Sequence, residues 1–104
     1  MNSPTIKYLQ EYLRSKDYKG GQPDPYFYKL VEEVGELSRA IRKDQKATDP
    51  TQLKGTIDEE LWDVIYYALA IANLYEIDME QVIKVKSEMN ESRYPSPVRF
   101  EEGR

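Results

Sequence analysis

Apolar residues along this chain recur mostly at helical spacing, and four segments follow that rhythm. Ser3 as an N-cap and Pro4 at the first helical position introduce Ile6, Leu9, Tyr12 and Leu13, in a helix expected to end near Asp17. The loop "YKGGQPDP" follows; Asp24 then caps and Pro25 starts a second helix, expected to run to about Lys46. After the break "ATDPTQLKG", Thr56 with Glu59 three residues on reads as a capping box for a third helix reaching about Tyr75. "EIDME" is a tight connection in which Asp78 and Gln81 form a similar pair, and the fourth helix should run to about Ser92. Pro95 and Pro97 end it, so residues 1–94 are expected to form one domain and 95–104 a flexible tail. No segment alternates in the manner of a strand, which predicts an all-α, four-helix bundle-like domain.

The faces of the two central helices raise a chemical question. Leu30, Val34, Leu37 and Ile41 form one predicted core stripe, and Leu61, Ile65, Ala68 and Ala72 the other. On the flank of the first lie Lys29, Glu32, Glu33 and Glu36; on the flank of the second lie Glu60, Asp63 and Tyr67. The pairs Glu33/Glu36 and Glu60/Asp63 share an i,i+3 spacing, and an antiparallel packing of their helices would let the four carboxylates meet. Like charges so placed repel, and Gly35 in mid-helix costs roughly 0.5–1 kcal/mol against Ala. Neither suits a sequence selected only to fold. Gly35 is expected to let a neighbouring backbone approach. The third helix is apolar almost all round, and a domain this small cannot cover every side of it, so self-association is expected.

Composition narrows the chemistry. The chain has 104 residues, a net charge of −4, no cysteine and no histidine. Converging carboxylates need a counter-charge, and without His or Cys only oxygen can ligate a metal, which favours Mg²⁺, Mn²⁺ or Ca²⁺. The acidic balance argues against a nucleic-acid partner, whose backbone selects clustered Lys and Arg. The longest apolar run, Val64 to Leu74, is too short to span a bilayer and contains Asn73. No secretory leader is recognised, and a cytoplasmic protein is expected. The nine tyrosines and Trp62 are expected in the core or at a subunit interface rather than on a base. Against the metal reading stands the plain one, solvated glutamates on a polar face. The apolar setting of Asp63, between Trp62 and Val64, favours the metal.

"EEVGEL" followed by "EELWDV" resembles the metal-binding signature of the MazG-type nucleoside triphosphate pyrophosphohydrolases, in the all-α NTP pyrophosphatase superfamily. A further similarity is "KSEMNESRY", although Met89 stands where many relatives have a second lysine. The resemblance implies Mg²⁺-dependent hydrolysis of a nucleoside triphosphate to the monophosphate and pyrophosphate, as nucleotide-pool housekeeping, with Mn²⁺ as a substitute ion. It places Glu33, Glu36, Glu60 and Asp63 on the metal, with Glu32 beside Glu33 orienting or deprotonating the attacking water. Lys86, Asn90 and Arg93, at i, i+4 and i+7 on one face, would hold the phosphates. It also implies an oligomer built on a dimer, either a homodimer or a dimer of dimers. The alternative is a non-catalytic acidic helical oligomer that binds metal or a protein partner.

Overall fold

The computed structural model describes residues 3–17, 22–94 and 98, so the expected tail at 95–104, Val98 apart, lies outside the described residues. Among the described residues the fold is all-α: α1 (Ile6–Asp17), α2 (Asp24–Arg42), α3 (Ile57–Leu74) and α4 (Met79–Arg93). None of these helices is long and apolar enough to cross a membrane.

The helix ends follow local chemistry, with two departures from the expected boundaries. Pro23 rather than Asp24 holds the N-cap of α2; Asp24 is its first helical residue and makes no capping bond. Its carboxylate still meets the positive end of the helix dipole. The helix stops at Arg42, earlier than expected, because Asp44 turns left-handed at φ 54° and the amides of Asp44 and Gln45 close back on the carbonyls of Ile41 and Ala40. Without a glycine at that position, the sequence carries no marker of the stop. Glu76 (φ 55°) ends α3 the same way, its amide and that of Ile77 bonding to Asn73 and Ala72. The capping box at Thr56 is shifted by one residue. Thr56 Oγ1 accepts from the Glu59 amide at 3.3 Å, while the Glu59 carboxylate accepts from Gly55 rather than from Thr56. Asp78 Oδ1 accepts from the amides of Glu80 and Gln81, as its position predicts.

Two bonds across the long loop bring the end of α2 to the start of α3: the Ile57 amide donates to Gln45 O at 2.8 Å, and the Ala47 amide to Asp58 Oδ1 at 2.8 Å. The helices therefore run antiparallel. The α3 helix is the central element, packed extensively on α2 and less so on α1, while the main packing of α4 is against α1. The enclosed apolar core is small: Leu13, Ala40, Leu69, Ala70 and Ala72.

The predicted stripes are not the faces that close this chain. Val34 and Ile41 are exposed and Leu30 and Leu37 half-buried; Leu61, Ile65 and Ala68 are exposed, and of the α3 stripe only Ala72 is buried. The pair has instead turned its carboxylate flank inward, with Glu33 half-buried and Glu60 buried. What remains open is a broad apolar surface including Phe27, Val31, Val34 and Ile41 on α2 with Leu61 and Ile65 on α3.

Candidate metal centre

Glu33 on α2 and Glu60 and Asp63 on α3 face one another because the antiparallel pair places one turn of each helix at the same level. Each offers a carboxylate oxygen, and these oxygens lie within 4.8 Å of one another. Glu60 is 7% exposed, and its Oε2 atom is buried with no hydrogen-bond partner. An ionised carboxylate in that state is costly. Burial first, then the hydrogen bond and charge of Glu33, and then the charges of Asp63 and Glu59, push the Glu60 carboxyl up to about 7. Burial and the Glu33 charge likewise raise Asp63, with the loop residue Lys54 acting in the opposite direction. Lys54 carries no sequence signal of its own, since only folding brings the loop "LKG" to the acidic turn. Two acids whose carboxyls are raised above their ordinary range, beside a third and with one oxygen unsatisfied, fit a hard divalent cation. The donor set is all oxygen, as Mg²⁺, Mn²⁺ or Ca²⁺ prefers.

The other residues singled out in the sequence lie around this trio rather than in it. Glu36, one turn beyond Glu33, is exposed and stands outside the three converging carboxylates. Glu32 points outward, its side chain 63% exposed, and pairs with Lys29 at 3.2 Å. That carboxylate holds the Lys29 ammonium above its ordinary range, through its hydrogen bond first and its charge second. Gly35 does not serve the close approach expected of it within this chain: a Cβ built there would meet nothing within 4 Å. It lies on the side of α2 turned away from α3. Lys86, Asn90 and Arg93 are exposed on α4, whose main packing is against α1. The Arg93 guanidinium rests over the Tyr94 ring, 5.7 Å from its centroid. Next to the cluster, Trp62 meets Tyr66 edge-on at 6.1 Å and Tyr66 meets Tyr67 at 5.0 Å. This arrangement is consistent with packing aromatics.

In this all-α domain the two central helices bring three carboxylates together, one from α2 and two from α3, in a set that could hold a metal ion. Residues 22–98 match the model of the MazG nucleotide pyrophosphohydrolase domain, and the chain belongs to that family. Among solved structures it is similar to iMazG from Vibrio DAT 722, with 38% identity and a TM-score of 0.81 over 89% of this chain and 100% of that one. Among proteins known by sequence, it is 30% identical to dCTP pyrophosphatase 1 of Mus musculus over 88% of its length, although it spans only 60% of that enzyme. It is also 28% identical to the uncharacterized protein YvdC of Bacillus subtilis (strain 168), over 85% of this chain and 91% of that protein.

Proposed function

We propose that this protein hydrolyses a nucleoside triphosphate to the monophosphate and pyrophosphate with the aid of Mg²⁺. The observation that carries the reading is the buried Glu60 oxygen without a partner, set among carboxylates that a divalent cation would satisfy together. Glu33, Glu60 and Asp63 would hold the metal, and Glu36, exposed one turn along α2, is the fourth ligand. The chemistry that Mg²⁺ supplies when bound is neutralisation of phosphate charge and acidification of water. Glu32 is the residue proposed to orient that water and take its proton, with the Lys29 ammonium 3.2 Å from its carboxylate, and Glu33 serves beside it. One P–O bond forms to the water oxygen, the bond at the α–β bridge breaks, and its electrons leave with pyrophosphate.

Lys86, Asn90 and Arg93 are proposed to grip the phosphates, with Arg93 suited to a two-pronged hold. Because the main packing of α4 is against α1, these residues would serve the acidic cluster of a second copy. The open apolar surface on α2 and α3 supports a homodimer or a dimer of dimers. The Mus musculus relative's name puts dCTP first among the substrates to try.

The test is pyrophosphate release from a panel of canonical and modified nucleoside triphosphates, dCTP included, with Mg²⁺ and with EDTA. Release that needs the metal and yields the monophosphate supports the proposal. No release from folded, Mg²⁺-loaded protein overturns it in favour of a metal-binding oligomer without turnover.

A further inference from the structure

The α4 helix has no buried residue of its own, and Val82, Val85 and Met89 lie exposed along it. Ile83 and Ser87 are only half-buried on its inner face, so the directed bonds at the turn where it begins add to the packing that fixes its direction. There, one side chain from α1 does what the local sequence does not. Gln10 lies in the middle of α1 and is 5% exposed, a costly position for an amide unless its polar atoms are paired. They are paired on both sides of the α3–α4 turn. Gln10 Nε2 donates to Ile77 O at 2.8 Å and to Asn73 Oδ1 at 3.0 Å, while Gln10 Oε1 accepts from the Met79 amide at 2.9 Å.

The Met79 amide opens α4 and has no carbonyl within its own helix to bond. Asp78 takes the next two amides, Glu80 and Gln81. Gln10 thus completes the cap of α4 from another helix. Asn73, 2% exposed, donates in return to Gln10 O at 2.9 Å, and Arg14 adds a bond to Asn73 Oδ1 at 3.3 Å. A second tie runs from the Lys7 amide on α1 to Glu80 Oε2 on α4 at 2.7 Å. A cleft of about 560 Å³ beside this clasp is lined by Lys7, Gln10, Arg14 and Asn73, and among the described residues no buried side-chain polar atom in it lacks a partner.

We propose that Gln10 is a positioning residue: by holding Ile77 and Met79 from α1, it sets the angle at which α4 leaves the turn, and so the placement of Lys86, Asn90 and Arg93 for the nucleotide. This rests on the reading of those three as the phosphate grip. The leverage is large. Arg93 lies 14 residues beyond Met79, so at 1.5 Å per residue a tilt of ~10° at the turn carries it roughly 4 Å, more than a hydrogen-bond length. A side chain buried about 20 Å from the phosphates along that helix would then control how tightly they are held.

The experiment compares wild type with Gln10→Met, which keeps length and burial but loses every bond, and with Gln10→Glu, which keeps the oxygen that accepts from Met79. Arg93→Ala serves as the reference for a lost phosphate contact. Steady-state kinetics give kcat and KM on the best substrate of the panel, and NMR hydrogen exchange reads the Met79 amide. Gln10→Met is expected to raise KM about tenfold or more with kcat within about twofold, to leave the Mg²⁺ activation constant unchanged, and to speed exchange at Met79. Gln10→Glu should recover part of the affinity. A merely destabilised protein would instead lose kcat, through a smaller folded fraction, at unchanged KM. That outcome overturns the proposal. So does an unchanged KM in Gln10→Met beside a raised one in Arg93→Ala, which leaves the α4 grip standing. An unchanged KM in both variants overturns the grip itself and the proposal with it. Should Gln10→Met fail to fold, an unchanged KM in Gln10→Glu with fast exchange at Met79 is equally fatal.

Discussion

Replacing Glu60 by Gln separates the cost of the carboxylate cluster from its use. In the folded protein without metal, Glu60 binds its proton more tightly than in the unfolded chain, with a carboxyl raised from 4.5 to about 7. The folded state therefore holds more protons between those values, so stability falls as pH rises through them. The stability is fully present below pH 4.5 and lost above 7. At about 1.4 kcal/mol per pH unit, the loss is about 3.5 kcal/mol, an upper bound because part of the rise comes from the charge of neighbouring acids and not from the burial of Glu60 alone. Glu60→Gln keeps the shape and removes the charge. For a domain of this size the gain at pH 8 in EDTA corresponds to a rise in Tm of order 10 °C, with no gain at pH 4.5. A weaker decline should remain in the variant, because the Asp63 carboxyl is also raised by burial. The assay is thermal unfolding by circular dichroism from pH 4.5 to 8.5 at one protein concentration, since an oligomer's Tm depends on it. Mg²⁺ at about a hundred times its dissociation constant should return roughly 2.7 kcal/mol to wild type at pH 8 and little to the variant. Parallel pH profiles for the two proteins would refute the claim that Glu60 is buried against its charge.

Asp63→Ala should remove Mg²⁺-dependent pyrophosphate release while the far-ultraviolet spectrum stays helical, and full activity would discard the site. Glu36→Ala should also cost turnover; if it does not, the ligands are only the three carboxylates that converge. Ile65→Asp, on the open face of α3, should weaken self-association by roughly 30-fold or more in sedimentation, and an unchanged profile would place the interface elsewhere. Gly35→Ala should stabilise the protein by roughly 0.5–1 kcal/mol, because an added Cβ meets open space; a loss of stability would mean that another chain approaches α2 there.

The helices themselves were legible because their signals are local. Thr56, Asp78 and the helical recurrence of apolar residues act within one or two turns, so element type and order could be read directly. The stop after Arg42 could not be read, since Asp44 adopts the left-handed turn usually left to glycine. The i,i+3 spacing of Glu60 and Asp63 was also legible, because it is a fixed geometry on a helix, whereas Glu36, spaced from Glu33 in the same way, does not join the three carboxylates that converge. Periodicity, however, gives the width of an apolar arc and not which part of it a neighbour covers. On α2 and α3 that arc exceeds what one chain can cover, and the pair closed over its acids, leaving Val34 and Ile65 open. Gln10 and Asn73 sit 63 residues apart and carry no motif. Their pairing, the angle it sets for α4, and the orphaned oxygen of Glu60 arise only when distant segments share one interior, where an unpaired polar atom becomes expensive.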